Sequence, residues 1–260
     1  MPANVRRIGV EDAPQVVVPA VPLHKPKFVV FEGRGGSGKT TGVRLLMERA
    51  MQAGRDVTLI DLDPRAQLRD YFGGVVAPSH PDEVVVHQFL DALVNAQAEA
   101  DPRPTLLVDM NGNDPVFGRF AADVGLPALL DDIGVMPVRV RFLGTDMEDL
   151  ADLARDNARG AFVPAQTVLL LNAGVIKNGM PADAAFGPVR EHPVFRQTVE
   201  AGARVVELPR LACMGKVSDL RLRFADAEAS DKVFVTDKQR LRGWRRAVDE
   251  ALAPVAAWVP

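Results

Sequence analysis

Between the apolar run FVVF (28–31) and the helix-patterned GVRLLMERAMQ (42–52) stands GRGGSGKTT, residues 33–41. Gly33, Gly38, Lys39 and Thr40 satisfy G-x-x-x-x-G-K-[ST], in the strand-before, helix-after setting that gives this spacing its physical meaning. Glycines let backbone N–H groups converge on a concave anion site, and the following helix turns its unpaired N–H groups and positive dipole end toward the same point. The anion this predicts is the phosphate chain of a nucleotide. Gly33, Gly35, Gly36, Ser37, Gly38, Lys39, Thr40 and Thr41 form the expected cradle, with Lys39 reaching the outer phosphates and the Thr40 hydroxyl placed to ligate Mg²⁺.

The loop also fixes what surrounds it. Six apolar segments, KFVVFE (27–32), DVTLIDLD (56–63), TLLVDM (105–110), MPVRVRFLG (136–144), QTVLLLN (166–172) and ARVVELP (203–209), alternate with helical patterns at 41–53, 84–100, 146–158 and 237–253. Nearly unbroken Val/Leu/Ile runs read as strands buried on both faces, and their alternation with helices gives an α/β doubly wound, mainly parallel sheet. Ligands in such folds bind beyond the carboxyl ends of the strands. Three segments end there in chemistry: the glycine loop after the first, Asp61 and Asp63 after the second, Asp109 after the third.

Asp109 closes an apolar run and is expected near Mg²⁺, holding one of its waters. A turn or helix-cap aspartate is the competing reading, since Asn111-Gly112-Asn113-Asp114-Pro115 follows. Asp61 and Asp63 are expected to face opposite ways, so that one alone meets the nucleotide. Asp63, before Pro64 at the strand exit, is the candidate for the metal and the attacking water.

With 47% hydrophobic and 25% charged residues in 260, the chain has the composition of a soluble protein with one large core, taken as a P-loop domain over 27–260. A formal charge of −3 provides no global attraction to nucleic acid. The lone Cys213 excludes an internal disulfide, and His24, His80, His87 and His192 have no metal-ligand spacing. No apolar stretch approaches the roughly 20 residues that span a bilayer, and no apolar signal core opens the chain, so a reducing, cytoplasmic setting is expected. Pro2, Pro14, Pro19, Pro22 and Pro26 mark residues 1–26 as an extended arm, in which Arg6 and Arg7 are solvated or touch a phosphate backbone.

RGGSGKTT followed by LIDLDPRAQ resembles the ParA/MinD group of P-loop ATPases, with their KGGxGKTT loop and D-x-D-P-x-x-Q second strand end. The resemblance runs from about Lys27 to the C-terminus. It implies ATP with Mg²⁺, and an ATP-dependent homodimer in which the first lysine of the loop reaches the partner's phosphates. Arg34 stands at that position here; it keeps the charge but not lysine's length or hydration. Residue by residue, the resemblance makes Asp63 the switch I aspartate, Asp109 the Walker B aspartate and Gly112 the switch II glycine. Asn172 becomes the reader of the adenine edge, or a plain turn residue, and Pro209 to Leu211 the loop over the base. No N/T-K-x-D motif follows the fifth strand, which argues against guanine.

VDMNGNDPVFGRF, LPALLDDIG and VELPRLACMGKVSDLRLRFADA are similar to TraL-type ATPases of conjugative plasmid transfer, which implies work beside plasmid DNA or a DNA-transfer protein. The C-terminal segment carries Leu241, Trp244, Val248, Ala251 and Leu252 at helical spacing, with Arg240, Arg242 and Arg246 off that stripe. It reads as a core helix with a solvated basic face, as a DNA-phosphate surface, or as a membrane-surface element docking through Trp244. A P-loop kinase or ATP-dependent ligase is the alternative function, although no second cluster of basic and acidic residues for an acceptor is visible in the sequence. A nucleotide-binding scaffold with negligible turnover is the third.

Overall fold

In a computed structural model of the chain, Phe28 and Val30 face one side of a sheet and Val29 and Phe31 the other, and all four are fully buried. A side-chain period of two with apolar residues at every position requires cover on both faces. The structure describes residues 25–65, 67–111, 115–160, 162–177 and 179–260. The expected arm up to residue 24, with Arg6 and Arg7, and Gly112 lie outside the described residues.

The strands are β1 (Lys27–Glu32), β2 (Val57–Asp61), β3 (Thr105–Asp109), β4 (Met136–Leu143), β5 (Gln166–Asn172) and β6 (Arg204–Leu208). All five pairings are parallel and the order is β2-β3-β1-β4-β5-β6. β1 registers with β3 from Phe28↔Leu106 to Phe31↔Asp109, and with β4 from Lys27↔Met136 to Glu32↔Arg141. The chain leaves β1 toward β2 on one side, then crosses from β3 to β4 on the other. The crevice of a doubly wound sheet therefore opens at the end of β1, where the glycine loop begins.

The helices are α1 (Lys39–Gln52), α2 (Glu83–Glu99), α3 (Pro115–Asp123), α4 (Leu126–Asp132), α5 (Met147–Arg159), α6 (Ala182–Glu191), α7 (Pro193–Glu200), α8 (Met214–Asp219), α9 (Phe224–Ala229) and α10 (Val235–Leu252). One face of the sheet is covered by α1 and α8 to α10, packing Val43, Leu46, Val217, Phe224 and Trp244 on Val29, Phe31 and Val140. On the opposite face α2 to α4 pack on Phe28, Val30 and Val108, and α5 to α7 on Leu143, Leu169 and Leu171.

The four helices expected from periodicity form, each shifted by one or two residues. Six others were not expected, for reasons visible in their sequences. Helices α8 and α9 have six residues each, too short for a periodic signal. Helix α6 carries Pro188 inside, and α3 begins at Pro115 directly after a turn-like Asn/Gly/Asp run.

Helix α10 buries Leu241, Trp244, Val248 and Leu252. Each such side chain contributes roughly 1.5–3 kcal/mol, more than surface charges do, so burial decides how the helix lies. The Trp244 indole N–H donates to the Pro209 carbonyl at 2.7 Å, which turns the ring inward. The expectation that Trp244 docks on a membrane surface therefore fails. On the basic face, Arg240 is paired with Asp237 at 2.6 Å and Arg242 with Glu228 at 3.4 Å. Both arginine side chains stay more than half exposed, so these pairs are weak and leave their charge at the surface. Among the described residues no helix is long and apolar enough to cross a membrane.

Candidate functional site

The loop from Gly33 to Thr41 closes by a bond from the Ser37 N–H to the Arg34 carbonyl, 3.2 Å, and delivers Gly38 as the N-cap of α1. Gly38 has φ +89°, and a Cβ there would come within 2.1 Å of the Asn172 amide nitrogen, so both conformation and space demand glycine. One turn on, a Cβ at Gly42 would come within 2.1 Å of the Phe142 ring, so α1 lies directly on β4. No side chain caps α1, which leaves its first N–H groups facing the loop's concavity.

Lys39 is buried, and its ammonium donates to the Gly33 carbonyl at 2.8 Å and the Arg34 carbonyl at 3.3 Å. Burial pushes its pKa down, opposed by the carboxylates of Asp109 and Asp63. Thr40 and Thr41 are partly buried in the first turn of α1, and Gly35 and Gly36 are exposed at the loop's tip.

Behind the loop, β3 and β2 bring Asp109 and Asp61 level with each other as register partners. Both are buried, and Asp109 Oδ1 and Asp61 Oδ2 have no hydrogen-bond partner among the described residues. Burial pushes the Asp109 carboxyl up to about 7, against the pull of the Lys39 ammonium and with the added repulsion of Asp61 and Asp63. The expectation that Asp61 and Asp63 face opposite ways fails: residues two apart in a continuing strand would share a face, and here both carboxylates act on Asp109. Strand β2 ends at Asp61, whose Oδ1 accepts the Asp63 N–H at 3.0 Å. The Asp63 carboxylate in turn accepts from the Arg65 N–H and guanidinium at 3.0 to 3.2 Å. Asp61, which the sequence offered beside Asp63 and set aside in its favour, thus stands level with Asp109 behind the loop. Its signal was the D-x-D spacing itself.

Asn172, at the end of β5, is buried with both ends of its amide engaged: Nδ2 donates to the Ser37 carbonyl at 2.8 Å and Oδ1 accepts from the Gly174 N–H at 2.9 Å. In this geometry it braces the loop against β5. Pro209 and Leu211 follow β6 at the same sheet end, with the Leu211 side chain in the core.

Arg34 points away from the concavity. It meets Glu148 at 2.5 Å, Asp146 at 3.2 Å and Asp152 at 3.7 Å, all on or capping α5 of its own chain. Beyond Gly33 and Arg34 a cavity of about 890 Å³ opens between α3 and α5, with Arg139, Arg141 and Glu32 among its walls. The second cluster of basic and acidic side chains that the sequence did not show is therefore present. Its members are 107 residues apart in the case of Glu32 and Arg139, and so could not be read as a motif.

The sequence matches the CobQ/CobB/MinD/ParA nucleotide binding domain over residues 28–229. The chain belongs to this family. No curated protein matches it. Among solved structures, an ATP complex of Cyanothece McdA aligns with a TM-score of 0.50 at 16% identity, covering 88% of this chain and 96% of that one. Chloroplast FtsY from Physcomitrella patens aligns with a TM-score of 0.44 at 19% identity over 70% of this chain. FlhF complexed with GMPPNP and Mg²⁺ gives 0.40 at 16% identity, covering 72% of this chain and 67% of that one. The chain spans 58% of the FtsY chain. As a member of the family, the chain has a six-stranded parallel sheet, covered by helices on both faces, that presents a nucleotide-binding loop at the end of β1.

The residues fit a hydrated divalent cation held jointly with phosphates. Two buried carboxylate oxygens lacking partners face the loop side of the sheet, yet among the described residues no group of three or more His, Cys, Asp or Glu could hold a metal unaided. Mg²⁺ commonly takes one or two protein ligands, substrate phosphates and waters, which is what this donor set offers.

Proposed function

We propose that the chain is a Mg²⁺-dependent ATPase of the ParA/MinD type, whose nucleotide state controls dimerisation and partner binding. The observation that carries this reading is the pair of unpartnered carboxylate oxygens, on Asp61 and Asp109, behind a phosphate loop whose lysine is buried beside them. Lys39 and the N–H groups of residues 33–41 hold the phosphates, and Thr40 with Asp109, and Asp63 at the edge, hold the metal and its waters. Bound Mg²⁺ neutralises charge on the outer phosphate oxygens. Asp63 orients the attacking water after parting from Arg65, an exposed contact that screening makes weak. Asn172 keeps the loop in register and offers the adenine edge its remaining capacity, with Pro209 to Leu211 over the base.

ATP rather than GTP is supported by the ParA/MinD resemblance and the missing N/T-K-x-D motif; the ATP-dependent homodimer, with Arg34 reaching the partner's phosphates, rests on the same resemblance. A place in conjugative plasmid transfer, beside DNA or a DNA-transfer protein, is proposed from the TraL-like segments, in one P-loop domain over 27–260 working in the cytoplasm. The second reading, phosphoryl transfer to a small carboxylate or hydroxyl, is favoured by the cavity that shares Gly33 and Arg34 with the loop. ATP hydrolysis by the full chain without any added acceptor, measured with and without DNA, separates the two. Turnover without acceptor supports the switch ATPase, and turnover only with a small acid supports the transferase.

A further inference from the structure

Arg139 and Arg141 are two apart on β4, a strand flanked by β1 and β5, and both are almost fully buried. Burying a guanidinium is costly unless its donors find acceptors. Arg139 Nε donates to Glu32 Oε2 at 2.7 Å and Nη1 to Asn157 Oδ1 at 2.6 Å. Arg141 Nη1 is divided between the same Glu32 oxygen, at 3.4 Å, and Asp156 Oδ2 at 2.6 Å. Two guanidiniums carry roughly ten N–H donors between them. Among the described residues three acceptor atoms, one of them shared, serve these bonds, and Arg141 Nε is buried with none. Among the described residues the network is short of acceptors, at the wall of a cavity.

We propose that this cavity binds a small molecule through its carboxylate or phosphate group, at a site distinct from the phosphate loop but sharing a wall with it. An oxyanion supplies the acceptors that the two arginines lack, whereas a cation or an apolar group would leave the shortage unchanged. The planar fork of arginine matches carboxylate and phosphate oxygens alike. Arg119 on α3 and Arg155 on α5 line the same cavity, each more than half exposed and so able to swing toward a ligand. The volume of about 890 Å³ falls within the roughly 300–1,000 Å³ typical of small-molecule sites. Glu148, Asp152 and Asp156 on the α5 wall make the lining mixed in sign, which suits a compact anion carrying donors and repels a polyanion such as a nucleic acid backbone. The inference rests on the cavity alone and stands whether or not the loop hydrolyses ATP.

The test is calorimetric titration of the full chain, without Mg²⁺, using citrate and inorganic phosphate as separate probes. The variants are Arg119→Ala/Arg155→Ala, at exposed positions that leave the core intact, Arg141→Lys, which keeps the charge but loses the fork, and Lys39→Ala, which disables the loop. Saturable binding of at least one probe is expected, weakened about tenfold or more in the double variant and in folded Arg141→Lys, and retained in Lys39→Ala. The probe that binds identifies the oxyanion class. Absence of saturable binding for both probes overturns the proposal, as does binding unaffected by the double variant or abolished by Lys39→Ala alone.

Discussion

Lys39 and Arg34 are cations five residues apart in one loop, in opposite circumstances. Lys39 is buried, bonded to two backbone carbonyls of its own loop, and stands before carboxylate oxygens that have no partner. Arg34 is partly exposed and meets three carboxylates of the α5 segment. The inner cation sits in a site that its own chain leaves incomplete, and a ligand completes it. The outer one is already satisfied, so whatever it does for a second protomer has to compete with α5. Exposed charge pairs are weak and screened by salt, which keeps that competition open.

The largest effect is expected at the inner cation. Lys39→Ala removes the point charge at the phosphates, and ATP affinity should fall beyond calorimetric detection, about 10²-fold or more, of the order expected when charge-assisted bonds to a buried anion are lost. Thr40→Ala should retain binding while weakening its dependence on Mg²⁺. ATP affinity undiminished in Lys39→Ala would remove the distinction between the two cations and the phosphate-loop reading with it.

Next in size is Asp63. ATP binding should stay within a few-fold of the parent, while turnover drops by about 10²-fold, as for loss of a group that positions a reacting water. Single-turnover assays separate the two quantities, and parental turnover in Asp63→Ala would transfer the role to Asp61, whose Oδ2 is without a partner among the described residues.

The contrast between the cations also explains what could be read without coordinates. The glycine loop, β5 over its full length and the acids ending β2 and β3 are contiguous in sequence, and period and spacing reveal them. The α5 carboxylates are not: Asp146 lies 112 residues beyond Arg34, and only the β3-to-β4 crossover brings α5 beside the loop. Arg139 and Arg141 were visible as charges in an otherwise apolar strand, but their partners Glu32 and Asp156 come from β1 and α5. Asn172 was legible as a polar residue ending a strand. That its Nδ2 is engaged by the Ser37 carbonyl, beside Gly38, is a tertiary fact, whereas the bond from the Gly174 N–H to its Oδ1 is local.

At the outer cation smaller effects are expected. Arg34→Ala should bind ATP about as well as the parent, remain monomeric by light scattering in ATP and Mg²⁺, and lose the rise of turnover with protein concentration. That loss is expected to be about tenfold, below the roughly 10³- to 10⁵-fold of arginine fingers that carry the whole transition-state charge. Arg34→Lys should restore dimerisation at least in part. An ATP-dependent Arg34→Ala dimer of normal affinity and parental turnover would reduce Arg34 to a partner of α5.

The smallest effect tests the competition itself. Glu148 makes the shortest contact to Arg34, at 2.5 Å, from an exposed position in the first turn of α5. Glu148→Gln keeps the side chain's length and an acceptor oxygen but removes the charge, and it leaves Asp146 free to cap the helix through the Glu148 backbone N–H. If α5 restrains Arg34, its release should lower the protein concentration giving half-maximal turnover by about two- to fivefold, the scale of one screened surface pair. The shift should vanish at about 0.5 M salt, where the Debye length is shorter than the distances over which unpaired surface charges compete. It should also vanish in an Arg34→Ala background, because there is then nothing to release. A shift that persists in that background would show that Glu148 acts through helix α5 or through the neighbouring cavity, and the two cations would differ only in burial.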